Sequence, residues 1–155
     1  MNSIRKDIYD NPIEVIYDED GNEIDEIIHY PTYTFDDAGI EQSRHAVQNN
    51  NDCMIRALSI YHDRDYDKWH DIVISYAKDV MNEGVSMPTA IQILNDYGFK
   101  QYFVYGGMTF NDVANIIDRD CIIIADDHVA AIRNGRVHDL GNTTGRHAHM
   151  VYIKE

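Results

Sequence analysis

The sequence predicts one α+β domain: an acidic β-hairpin, then helices, then an antiparallel sheet. Three observations carry this expectation. Apolar residues recur at three-and-four spacing between Cys53 and Tyr97. From Cys121 onward, short β-rich runs alternate with turn residues. Nearer the start, two more β-rich runs flank Asp20-Gly21, a dipeptide that tolerates the positive φ of tight turns. Helices segregated from strands in this way imply N-terminal helices packed on one side of a C-terminal antiparallel sheet.

Taken in order, residues 13–28 form the hairpin, and residues 30–51, which keep neither period, read as an ordered connector. Asp52 suits the N-cap of a helix that begins at Cys53 and runs to about Tyr61. Tyr66, Trp69, Ile72, Val73, Tyr76, Ala77, Val80 and Met81 follow helical spacing, with Gly84 as the stop. A third helix spans Pro88 to Tyr97, since proline is accepted in the first turn and Gly98 can supply a left-handed cap. Phe99–Tyr105 reads as a strand, and Thr109 caps a short helix reaching Ile117. Cys121–Ala125, Val129–Arg133, Arg136–Leu140 and His149–Lys154 follow as strands.

A chain of 155 residues suits a single domain, here residues 1–45 as hairpin and connector and 46–155 as core. Thirteen Lys and Arg against twenty-seven Asp and Glu leave a net charge of −14. Eleven of those acids fall in the first forty residues against Arg5 and Lys6. Such a field repels phosphate backbones and anionic lipid, which argues against nucleic-acid and membrane partners and favours a protein or peptide partner of basic character. No apolar run reaches the ~20 residues of a membrane helix, and the first ten residues lack the apolar core of a secretory signal. A cytoplasmic location follows as an expectation, and the two cysteines then read as thiols.

Cys53 stands at a helix N-terminus, where unpaired N–H groups and the helix dipole favour negative charge and therefore a thiolate. A nucleophilic thiol needs a base. Asn134-Gly135 as a two-residue turn places Arg133 opposite Arg136, Ile132 opposite Val137 and Ala131 opposite His138. Counting outward, His128 falls opposite Gly141 and on the same face as Asp139, while His138 points the other way. The diagonal separation of roughly 7–8 Å between backbone sites lets an imidazole and a carboxylate meet. An acid there would fix the imidazole tautomer and stabilise its protonated form. Gln48, five residues before Cys53, is a candidate oxyanion donor, with Asn49, Asn50 and Asn51 as alternatives.

These residues carry a resemblance. Gln48 followed by Asp52-Cys53-Met54-Ile55-Arg56-Ala57-Leu58, and later His128-Val129-Ala130-Ala131-Ile132-Arg133-Asn134-Gly135-Arg136-Val137-His138-Asp139, resembles the papain-like cysteine peptidase pattern. It is similar above all to small papain-like proteins of bacteria and their bacteriophages, from about Gln48 to Glu155. The resemblance implies a papain-like fold and a cysteine hydrolase without cofactor or metal. Cys53 would be the nucleophile, His128 the general base and acid, Asp139 the orienting acid and Gln48 the oxyanion donor. Met54 in place of an aromatic, Asp139 in place of asparagine and a glutamine one residue closer widen the chemistry from peptidase to amidase, deamidase, isopeptidase or acyl transfer. The first 45 residues carry no resemblance.

Other polar residues read more plainly. Cys121 opens an apolar run and reads as core. His147 and His149 lack the second ligand pair of a zinc site, and Asp18–Asp20 and Asp126-Asp127 lack the spacing of a calcium loop. His29, His45, His62 and His70 read as surface or helix-flank residues, and Tyr66, Trp69 and Tyr76 as core. The rival to an enzyme is a catalytically silent acidic binding or inhibitor protein that presents its N-terminal hairpin to a basic partner.

Overall fold

The structure, a computed structural model, describes residues 2–6, 12–28, 32–43, 51–77, 84–102 and 106–154. It begins with strands β1 (Asn2–Lys6), β2 (Pro12–Tyr17), β3 (Glu23–Ile28) and β4 (Tyr33–Phe35) and a 3-10 turn at Ile40–Gln42. Helices α1 (Cys53–Tyr61), α2 (Tyr66–Tyr76) and α3 (Met87–Asp96) follow, then β5 (Phe99–Tyr102) and helix α4 (Phe110–Ile116). Strands β6 (Cys121–Ile124), β7 (Val129–Arg133), β8 (Arg136–Asp139) and β9 (Met150–Lys154) complete an α+β architecture.

The hairpin is part of a three-stranded antiparallel sheet in the order β1-β2-β3, of which the sequence pattern revealed only the last two strands. Its turn is organised by Asp18, whose Oδ1 accepts from the amides of Asp20 at 2.9 Å and Asn22 at 2.8 Å. Gly21 takes the positive φ of 83°.

The main sheet has six strands in the order β4-β8-β7-β6-β9-β5. It is mixed rather than antiparallel, because β4 pairs parallel to β8, with Phe35 opposite Asp139. The segment expected to be an irregular connector therefore supplies an edge strand. Three residues are too short a run to show a period, and this explains why the pattern concealed it.

Helices cover both faces of the sheet rather than one. Ile122, Ile124, Val129 and Ala131 pack with Leu58, Trp69 and Leu94 of the α1–α3 layer. On the opposite face, Cys121, Ile123, Ala130 and Ile132 pack with Phe110 and Val113 of α4. All four residues of β6 are buried, as a strand covered on both faces requires. Complete burial of a side chain such as Phe110 contributes about 1.5–3 kcal/mol.

Helix boundaries follow local chemistry. Ser86 caps α3 by accepting from the Thr89 amide at 3.4 Å, and Gly98 ends the turn beyond it at φ 88°. Thr109 and Asp112 form a reciprocal capping box on α4. Helix α2 stops at Tyr76, short of the expected Gly84, because Ala77 is extended. Val80 and Met81 lie outside the described residues. Of the histidines expected at the surface or a helix flank, His62 flanks α1 as its C-cap and stacks on Trp69 with ring centroids 4.3 Å apart, whereas His70 lies within α2 and is buried, and His29 and His45 lie outside the described residues.

The β7–β8 ribbon has the expected register, with Arg133 opposite Arg136, Ile132 opposite Val137 and Ala131 opposite His138. Both turn residues are left-handed, Asn134 at φ 54° and Gly135 at φ 73°. Among the described residues, no helix is long and apolar enough to cross a membrane.

Replacing Gly135 by alanine leaves steric room, the nearest atom to an added Cβ being the Ala114 carbonyl oxygen at 3.5 Å, so its effect isolates the backbone conformation. Urea denaturation is expected to show a loss of about 1–2 kcal/mol. Unchanged stability would contradict the left-handed turn.

Candidate active site

Three elements meet at one end of the β7–β8 ribbon. His128 immediately precedes β7, Asp139 ends the antiparallel β8, and the N-terminus of α1 brings in Cys53. His128 Nε2 lies 2.5 Å from Asp139 Oδ2. The Cys53 thiol is a further hydrogen-bond partner of the same ring. With Nε2 committed to the carboxylate, Nδ1 is the nitrogen left to exchange a proton. Phe110, fully buried, stacks beside the imidazole with centroids 6.5 Å apart.

Asp139 is held on every side. Its Oδ2 also accepts from Thr143 Oγ1 at 2.9 Å, and its Oδ1 accepts from the Leu140 amide at 2.8 Å. Arg56 Nη2 stands 3.6 Å from Oδ1. Edge strand β4 steadies the backbone, since the Asp36 amide donates to the Asp139 carbonyl at 2.9 Å and the Tyr33 hydroxyl at 3.3 Å.

Burial alone would push the Asp139 carboxyl up, but the hydrogen bond and charge of His128, followed by Arg56 and Thr143, hold it below the usual value. Burial pulls the imidazole down, yet its bonds to Asp139 and Cys53 outweigh that and raise His128 to about 9. Such an imidazole is protonated at neutral pH.

A cavity of about 290 Å³ opens onto Cys53 and His128, walled by Asn51, Val85, Met87, Ile124 and Asp126 among others. That volume is at the small end of ligand sites, enough for one side chain or a short acyl group.

Of the residues singled out in the sequence, Cys53, His128 and Asp139 come together. Gln48 lies outside the described residues, as do Asn49 and Asn50, while Asn51 lines the cavity. His138 faces away and bonds through Nδ1 to Asp36 Oδ2 at 3.0 Å. Cys121 is buried in the α4-side layer, and burial, aided by the charge of Asp120, pushes its thiol up to about 12. Among the described residues, no group of three or more His, Cys, Asp or Glu side chains could hold a metal ion.

Asp52 occupies the expected N-cap position of α1 but uses its side chain elsewhere. It makes no side-chain cap bond and is fully buried. Its Oδ1 accepts from Arg56 Nη1 at 2.8 Å and its Oδ2 from the Tyr66 hydroxyl at 2.9 Å. A carboxylate turned inward to two buried donors is turned away from the first-turn amides. Tyr66, expected as plain core, is thus core with a polar task. Arg56 and Thr143 escaped the sequence reading altogether. An acid four residues before an arginine, Asp52 and Arg56, was the available signal for the first; a loop threonine gives none.

Compared with known protein families, with curated proteins and with solved structures, the chain matches none.

Because the folded value of His128 lies above the ordinary 6.5, folding takes up a proton there. The associated stability is full below pH about 6.5 and is lost as pH rises through about 9. Asp139, shifted downward, contributes stability above the ordinary carboxylate range that is lost as pH falls through its lower folded value. NMR titration of the His128 ring should give a midpoint near 9, and Asp139→Asn should move it toward 6.5. A midpoint that ignores the substitution would show that Asp139 does not hold the imidazolium.

Proposed function

We propose that this chain is a papain-like cysteine hydrolase that cleaves a peptide, isopeptide or side-chain amide bond through Cys53, His128 and Asp139. The observation that carries the reading is one imidazole bonded through Nε2 to a buried carboxylate and interacting with a helix-opening thiol, the thiol and the imidazole both lining one cavity. Each role follows from that geometry and from the resemblance described above.

In the proposed reaction Cys53 acts as a thiolate beside a His128 imidazolium, the proton passing from sulfur to Nδ1. The thiolate attacks the carbonyl carbon of the scissile amide, and the carbonyl electrons move to oxygen. The Cys53 amide at the start of α1 is one donor for that oxyanion, and Gln48 or Asn51 a second. As the C–N bond breaks, the imidazolium gives its proton to the departing amine and a thioester remains. Neutral His128 then takes a proton from water, hydroxide adds to the thioester, and collapse expels the thiolate and restores the ion pair. Asp139 keeps Nε2–H in place throughout, so Nδ1 is always the nitrogen that exchanges the proton.

A reducing cytoplasm would keep both free cysteines as thiols. The acids at 19, 20, 23, 25 and 26 are exposed on the N-terminal sheet and would favour a basic protein or peptide substrate. The same acids support the second reading, a silent acidic binding protein.

The two readings differ on the sulfur. Iodoacetamide at neutral pH is expected to alkylate Cys53 at least about 100-fold faster than Cys121, because Cys121 is fully buried and its thiol is pushed up to about 12. Cys53→Ala should abolish turnover of a substrate found by amide-cleavage screening while leaving the circular dichroism spectrum intact. Equal, slow labelling of both cysteines would overturn the enzyme reading in favour of the binding protein.

A further inference from the structure

Behind the cysteine, histidine and aspartate lies a chain of buried polar groups that the proposed reaction does not use. It runs from the Tyr66 hydroxyl to Asp52, from Asp52 to Arg56, and from Arg56 to Asp139. Asp52 is 0 % exposed and Arg56 only 6 %, so both charges are held out of water. Arg56 Nε finds no hydrogen-bond partner among the described residues. A buried donor left unpaired costs about 1–3 kcal/mol, and a buried ion pair is often no more stabilising than apolar residues of the same volume. Core packing therefore gives little reason for an arginine here, and its placement points elsewhere.

We propose that Arg56 is a positioning residue for the reaction: its guanidinium ties the helix turn that carries Cys53 to the strand end that carries Asp139. The assignment rests on the hydrolase reading. Asp52 precedes the nucleophile by one residue, and Arg56 lies one turn further along α1. One Nη reaches back to Asp52 at 2.8 Å, and the other reaches across to Asp139 Oδ1 at 3.6 Å. His128 is bonded to the other oxygen of that carboxylate. The fork thus sets where the carboxylate stands relative to α1, and with it where the imidazole stands relative to the sulfur. A planar guanidinium can span two carboxylates at once; a lysine ammonium keeps the charge without that geometry.

Arg56→Lys is the direct test, read by the His128 titration midpoint and the Cys53 alkylation rate at neutral pH. Asp52→Asn/Arg56→Met leaves no lone charge buried, and Tyr66→Phe perturbs the chain most gently, so the test survives if the lysine variant does not fold. With the fork lost, the midpoint should fall from about 9 toward 6.5 as Asp139 drifts from the ring. Alkylation should slow by about 10- to 100-fold, the scale of an ångström's misplacement. Tyr66→Phe should give a smaller change of the same sign. A role confined to stability would lower the denaturation midpoint and leave both readouts unchanged, and that result overturns the proposal. A midpoint that rises in the double variant also overturns it, because it marks Arg56 as a repelling charge and nothing more. Slow alkylation of Cys53 in the unsubstituted protein would instead sink the hydrolase reading. Fast alkylation that Arg56→Lys leaves untouched would sink only the assignment of Arg56.

Discussion

The site depends on a register fixed by two left-handed residues. Asn134 and Gly135 close the β7–β8 ribbon at φ 54° and 73°, and from that point the pairings of Arg133, Ile132 and Ala131 follow by counting. A slip of one residue would turn the Asp139 side chain to the opposite face, where His138 now meets Asp36. The bond between His128 and Asp139 is the far end of that count, reached at 2.5 Å. Everything else at the site, from the raised imidazole to the thiol beside it, presupposes that bond.

Two layers of support hold the pair. Edge strand β4 fixes the Asp139 backbone from one side, and Thr143, Leu140 and Arg56 occupy the carboxylate from the others. A carboxylate so engaged stays ionised despite burial, and its ionisation in turn keeps the imidazole charged. In the proposed reaction this serves two ends: it orients the ring and stabilises the imidazolium that accompanies a thiolate. Cys121, buried in the opposite layer with the charge of Asp120 nearby, has its thiol pushed up to about 12.

Much of this was legible in the residues because it is local or additive. Helix α1 beginning at Cys53, the capping box at Thr109 and the register from Asn134-Gly135 each depend on a few adjacent side chains. Strand β4 and the second helix layer were not legible, since they are set by partners distant in sequence. Tyr33–Phe35 pairs with a strand a hundred residues later, and no short-range rule foresees it. The unbroken apolar run Cys121–Ala125 was a usable sign of a sheet covered on both faces. Asp52 takes the N-cap position that the pattern indicated, but the partners of its side chain were not legible: cap chemistry is a local preference, and two buried donors from Arg56 and Tyr66 outcompeted it.

The most direct measurement is the thiolate absorbance of the protein in the far ultraviolet at neutral pH, compared between the unsubstituted chain, Cys53→Ser and His128→Asn. If His128 holds Cys53 as an ion pair, the signal is present in the first and lost in both variants. A signal that is absent from the unsubstituted chain, or that survives the loss of the imidazole, would contradict the account.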